Sequence, residues 1–165
     1  MYTLKLNEFA GIHITAIKES TNNYYIRILL LYSLRGISIF IKEINDYPHD
    51  RFIFELVELS IDEENNLIYL YEGNYTYDSK PKTAEIEELF EQDKFIQLCK
   101  IGFLDYIVIS KKNFINLLLA WDEILNTKPP FALLYLDDKY LYDVVPFDTQ
   151  KAMEKFIVDH TKIND

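Results

Sequence analysis

Apolar and polar positions alternate with period two along much of the first half of the chain. In "GIHITAIKE", Ile12, Ile14 and Ala16 fall opposite His13, Thr15 and Ile17, the spacing of a β-strand. Ser20–Asn23 is a turn cluster. "YYIRILLLYSL" follows, a run that a helix accommodates. After Arg35-Gly36, Ile37, Ile39 and Ile41 alternate with Ser38, Phe40 and Lys42, which predicts a strand over "ISIFIKEI". "RFIFELVELSI" and "NLIYLYEGNYTYD" flank "DEENN" and predict a hairpin with a short loop.

The period then lengthens. In "KTAEIEELFEQDKFIQLCKIG", Ile86, Leu89 and Phe90 form an apolar stripe, Thr83 is placed to cap its start, and Gly102 suits its end. "FLDYIVI" predicts a strand. Ser110 is an N-cap candidate for a helix whose Phe114, Leu117, Leu118, Trp121 and Leu125 share a face, and Pro129-Pro130 ends it. "FALLYLDDKYLYDVVPFD" reads as strand, turn, strand around Asp137-Asp138. Asp148 or Thr149 caps a last helix over "QKAMEKFIVDH". The order predicts an α+β fold with a largely antiparallel sheet and about three helices, mostly in the C-terminal half. No repeat or composition break divides residues 1–165, so a single domain is expected.

Composition adds a charge argument. Asp and Glu total 27 against 17 Lys and Arg, a formal charge of −10. Such a surface repels nucleic-acid phosphates and anionic lipid, and its complement is a basic protein. Acidity also serves solubility alone, as a solvated helix face does. The beginning of the sequence lacks the pattern of a signal peptide, and "YYIRILLLYSL", broken by Arg27, is too short to span a bilayer, so a soluble cytoplasmic protein is expected.

Candidate chemistry is sparse. His13, His49 and His160 are scattered, with no metal-ligand spacing. "DEENNL" has neither the glycine at the sixth place nor the acid at the twelfth that a calcium loop needs. Asp137-Asp138 could ligate Mg²⁺, but neighbours on a strand point to opposite faces, and a hairpin turn accounts for them. Cys99, the only cysteine, lies in apolar "FIQLCKIGF" and reads as an inert core thiol. No Gly-x-Ser-x-Gly elbow or glycine-rich phosphate cradle occurs, so neither catalysis, a metal nor a cofactor is expected.

Two features remain. Glu85, Glu87, Glu88, Glu91 and Asp93 form an acidic ridge whose i,i+3 and i,i+4 pairs repel one another, so it gives the helix no stability. Tyrosines recur at Tyr69, Tyr71, Tyr75 and Tyr77, and again at Tyr140 and Tyr142 beside Asp137, Asp138 and Asp143. A tyrosine stripe is either a half-buried sheet face or, with carboxylates around it, an interface that pairs with Arg and Lys.

On the ridge, the stripe Tyr69–Tyr77 and "YLDDKYLYD", the whole chain resembles in overall character the bacterial immunity proteins that neutralise toxin domains of contact-dependent inhibition and other polymorphic toxin systems. No motif of a particular immunity family carries the likeness. The resemblance implies a non-catalytic protein that occludes a basic, nuclease-type toxin domain. Partner contacts would come from Glu85, Glu87, Glu88, Glu91, Asp93, Asp137, Asp138, Asp143, Tyr75, Tyr77, Tyr140 and Tyr142. Other readings are an adaptor module or a small carboxylate-dependent hydrolase using Asp137, Asp138 or Asp143.

Overall fold

The computed structural model describes residues 7–9, 12–16, 26, 36–49, 51–54, 56–136 and 141–161. Within them the fold is α+β, and the strands form two four-stranded sheets. The first has the order β1 (Asn7–Phe9), β2 (Ile12–Ala16), β7 (Phe131–Leu136), β8 (Tyr142–Phe147). The second has the order β3 (Arg51–Ile53), β4 (Val57–Asp62), β5 (Leu67–Glu72), β6 (Tyr106–Ser110) and is antiparallel throughout. In the first sheet β2 and β7 run parallel, a pairing that joins distant parts of the chain and that local patterning does not specify.

Six helices have defined bounds among the described residues, more than the three expected: α1 (Ile37–Asp46), α2 (Asn74–Tyr77), α3 (Ala84–Glu91), α4 (Phe95–Lys100), α5 (Lys111–Thr127) and α6 (Gln150–Thr161). Ile26 is also helical. The predicted strand over 37–44 is instead α1. Its buried residues, Ile37, Phe40 and Ile44, follow helical spacing, while Ile39 is exposed. Phe40 decides the matter by packing edge-on against Phe52, Phe54 and Phe114, with ring centroids 5.5, 5.5 and 6.3 Å away. The β-branched isoleucines favour a strand locally, and tertiary packing overrides them.

The expected long helix after Pro81 is two helices. The chain breaks at Asp93, whose φ of 53° lies in the left-handed region. Gly102, with φ 77°, ends α4 as expected. The tyrosine stripe is also interrupted: β5 stops at Glu72, and Tyr75 and Tyr77 lie on the single turn of α2.

The main core lies between the sheets. Leu59, Ile61, Ile68, Leu70, Ile107 and Ile109 face it from the second sheet, and Ala132, Leu134 and Val144 from the first. Helix α5 fills it with Phe114, Leu117, Leu118 and Trp121. Ser110 caps α5, its Oγ accepting from the Asn113 N–H at 3.2 Å, and Lys128, at φ 48°, closes it in the left-handed region. Each sheet is covered on its other face as well. Helix α6 packs Met153 and Ile157 against Leu133, and the segment from α2 to α4 covers the second sheet with Phe95, Leu98, Cys99 and Leu104.

Asn113 ties α5 to β8. Its buried amide donates to the Tyr142 carbonyl at 2.8 Å and accepts the Tyr142 N–H at 2.9 Å. Asn113→Ala leaves both backbone groups without these partners, and a loss of about 2–4 kcal/mol is expected. Urea unfolding followed by far-UV circular dichroism measures it. A loss under about 0.5 kcal/mol would show that water replaces the amide.

Candidate functional site

The outer face of the second sheet is where polar chemistry concentrates. Antiparallel register sets Glu58 opposite Tyr71, Ser60 opposite Tyr69, and Arg51 opposite Ser60. Period-two geometry therefore places these side chains on the face away from the main core. The segment from α2 to α4 lies over them, burying Glu58, Tyr69 and Tyr71 and leaving Arg51 and Ser60 half-buried.

Glu58 is fully buried. The Tyr77 hydroxyl donates to its Oε1 at 2.8 Å, and Arg51 Nη1 donates to its Oε2 at 3.3 Å. Burial raises its pKa above the ordinary carboxyl value, outweighing the opposing effects of Tyr77, Arg51 and the Asn74 N–H. Burial and then the neighbouring Glu58 push the Tyr77 hydroxyl up too, so it stays a proton donor. Beside them the Ser60 and Tyr71 hydroxyls share a hydrogen bond of 2.9 Å. Arg51 stacks over the Phe95 ring, 4.0 Å from its centroid.

A second buried carboxylate, Glu72, ends β5. It pairs with Lys80, and its Oε1 accepts the Asp105 N–H at 3.0 Å. Lys80 Nζ also donates to the Phe103 carbonyl at 2.9 Å. Both ends of the covering segment are thereby fastened to one sheet.

Between edge strand β3 and the start of α4 an open cleft of about 650 Å³ remains. Arg51, Ile53 and Ser60 line it from the strands, and Asp93, Lys94, Phe95 and Gln97 from the helix side. Asp93 is also the last residue of the acidic ridge. Glu85, Glu87, Glu88, Glu91 and Asp93 are all exposed, and α3 buries no residue fully. Its Ile86, Leu89 and Phe90 pack only partly against the aromatic cluster below.

No family model matches the chain, and no match is found among curated proteins or solved structures. Site geometry alone therefore bears on function. Among the described residues no three His, Cys, Asp or Glu side chains gather into a metal-holding group. No described helix is long and apolar enough to cross a membrane.

The predicted contact residues divide. The five ridge acids share one exposed stretch, and Tyr75 is 72% exposed. Tyr77 and Tyr142 are buried, which removes both from the surface and corrects their reading as contact residues. Tyr77 is held by Glu58, and Tyr142 belongs to the main core. Asp143 is half-buried on the other sheet, and its Oδ1 accepts the Val144 N–H at 2.8 Å. Asp137, Asp138 and Tyr140 lie outside the described residues.

Sequence reasoning missed Arg51, Glu58, Ser60 and Glu72. The available signal was the alternation of "VELSID", whose polar positions would face solvent in a sheet covered on one side only. Coverage of both faces turns them into a buried network.

Two measurements probe these environments. The folded state raises the Glu58 pKa, so below the ordinary carboxyl value both folded and unfolded chains hold the proton and no penalty arises. As pH rises through the ordinary and then the raised value, the unfolded chain ionises first and wild type loses stability relative to Glu58→Gln. Chemical denaturation of both proteins between pH 4 and 7 should show that trend, and a constant difference would exclude it. Burial, followed by the charge of Glu72, pushes the Cys99 thiol up to about 12. Labelling with a thiol reagent at pH 8 should therefore proceed only through opening of the structure and accelerate with denaturant. Rapid labelling of the native protein would contradict the buried placement.

Proposed function

We propose that the protein is a non-catalytic binding protein that neutralises a basic, nuclease-type toxin domain by covering its active site, as an immunity protein does. The observation that carries this reading is the ridge from Glu85 to Asp93. It presents five carboxylates to solvent on a helix and its exit, with no Lys or Arg between Glu85 and Asp93. Like charges at these spacings weaken a helix by a few tenths of a kcal/mol each, and Glu88, Glu91 and Asp93 lie beyond the first turn, where the helix N-terminus no longer favours a carboxylate. Lys and Arg on a partner would relieve the repulsion and gain steering.

Support also comes from how the ridge is held. Thr83 caps α3, Glu85 and Glu87 lie in its first turn, and the aromatic cluster beneath keeps its orientation. A rigid acidic surface loses little conformational freedom on binding. Tyr75, exposed near the end of β5, supplies aromatic contact area of the kind that anchors interfaces. The one cysteine is buried with a disfavoured thiolate, which leaves it unsuited to nucleophilic chemistry.

The test is coexpression with the product of the gene immediately upstream, followed by calorimetry at several salt concentrations. A nanomolar, salt-sensitive complex that abolishes the partner's toxicity is expected. The triple variant Glu87→Lys, Glu88→Lys, Glu91→Lys should weaken binding by about 100-fold or more while leaving the circular dichroism spectrum unchanged. Full-strength binding by that variant would remove the ridge from the interface.

A further inference from the structure

The cleft beside β3 gathers basic groups in a chain whose formal charge is −10. Arg51 and Lys94 line it, set against Asp93 and against the Glu58 carboxylate that pairs with Arg51. His49 stands at the rim, 3.6 Å from Glu63. Arg51 is the feature that sets its chemistry. A guanidinium carries five N–H donors in a rigid fork. One of those on Arg51 goes to Glu58, and the others have no protein acceptor among the described residues. The side chain is 29% exposed and lines the cleft.

Arg51 is also held in place. Glu58 binds it from below, and the Phe95 ring lies against its face at 4.0 Å. Such a guanidinium needs little ordering to receive a ligand. Forked donors match the paired oxygens of a carboxylate or phosphate better than they match any neutral group. At the cleft, Ile53 and Ile96 supply apolar surface, while Ser60 and Gln97 supply hydrogen-bonding groups. A volume of about 650 Å³ exceeds what a bare ion fills and lies within the range of small-molecule sites.

We propose that this cleft binds a small oxyanion ligand, a carboxylate or phosphate on an apolar body, with Arg51 as its anchor. The anion meets the free edge of the Arg51 fork, and the apolar body lies along Ile53 and Ile96. Lys94 adds attraction from the rim and Asp93 opposes it, so Arg51 dominates recognition. This inference does not rest on the acidic ridge's proposed partner, although the two surfaces share Asp93.

Titration of the full chain with benzoate, phenyl phosphate and inorganic phosphate, followed by amide NMR shifts, tests the proposal. Benzoate or phenyl phosphate should shift Arg51, Ser60, Phe95 and Gln97 saturably, and inorganic phosphate should bind more weakly. Benzylamine, which carries the opposite charge, should not bind. Arg51→Gln should raise Kd by about tenfold or more, and exposed Lys94→Gln by about two- to threefold. If Arg51→Gln unfolds, Arg51→Lys, which keeps the charge without the fork, and Lys94→Gln decide the matter. The proposal fails if neither aryl probe gives a saturable shift up to about 10 mM, or if a folded Arg51 variant binds as wild type does. Equal affinity for inorganic phosphate would overturn the apolar body.

Discussion

Two carboxylates buried at the second sheet, Glu58 and Glu72, hold the excursion from Gly73 to Asp105 in place. Removing a carboxylate from water costs several kcal/mol unless donors replace the water. Both have such donors: Arg51 of β3 serves Glu58, and the others come from the excursion. Tyr77 reaches Glu58, while Lys80 and the Asp105 N–H reach Glu72. Losing these contacts would leave the charge buried without compensation, so the network joins the fold of the sheet to the position of α2, α3 and α4. Phe95, Leu98, Cys99 and Leu104 add apolar contact, but apolar burial is not directional and does not by itself select one orientation.

The surfaces with functional potential depend on that fastening. The acidic ridge lies on α3 and its exit, and α3 buries nothing fully. Its direction comes from the cap at Thr83, from partial packing of Ile86, Leu89 and Phe90, and from the break at Asp93. The same break turns the chain into α4, whose Phe95 lies over Arg51. Ridge and cleft therefore meet at Asp93, one surface acidic and exposed, the other partly basic and recessed. A displacement of the excursion would alter both together.

Burial of both sheet faces explains why polar residues on strands are informative here. Tyr69 and Tyr71 face a second layer, so their rings pack while the Tyr71 hydroxyl needs a partner and finds Ser60. Asn113 performs a comparable role across the main core, where its amide satisfies both backbone groups of Tyr142. In each case a side-chain hydrogen bond specifies a relative placement that a purely apolar contact would leave loose.

Local signals determined much of the framework. Ser110, Thr83, Thr149, Gly102 and Pro129-Pro130 marked element ends because caps and breakers act through backbone groups within a few residues. Charge and exposure of the ridge were legible for the same reason, since a helical stripe separates its apolar residues from its acids. Helix α1, the parallel pairing of β2 with β7, the division into two sheets and the burial of Tyr77 and Tyr142 were decided by tertiary structure. Each depends on contacts between residues far apart in the chain, such as Phe40 with Phe114 or Tyr77 with Glu58. The network around Glu58 and the cleft beside it belong to that second class. The sequence placed a glutamate on a strand, and only the layer folded over that strand made it a buried partner for Arg51.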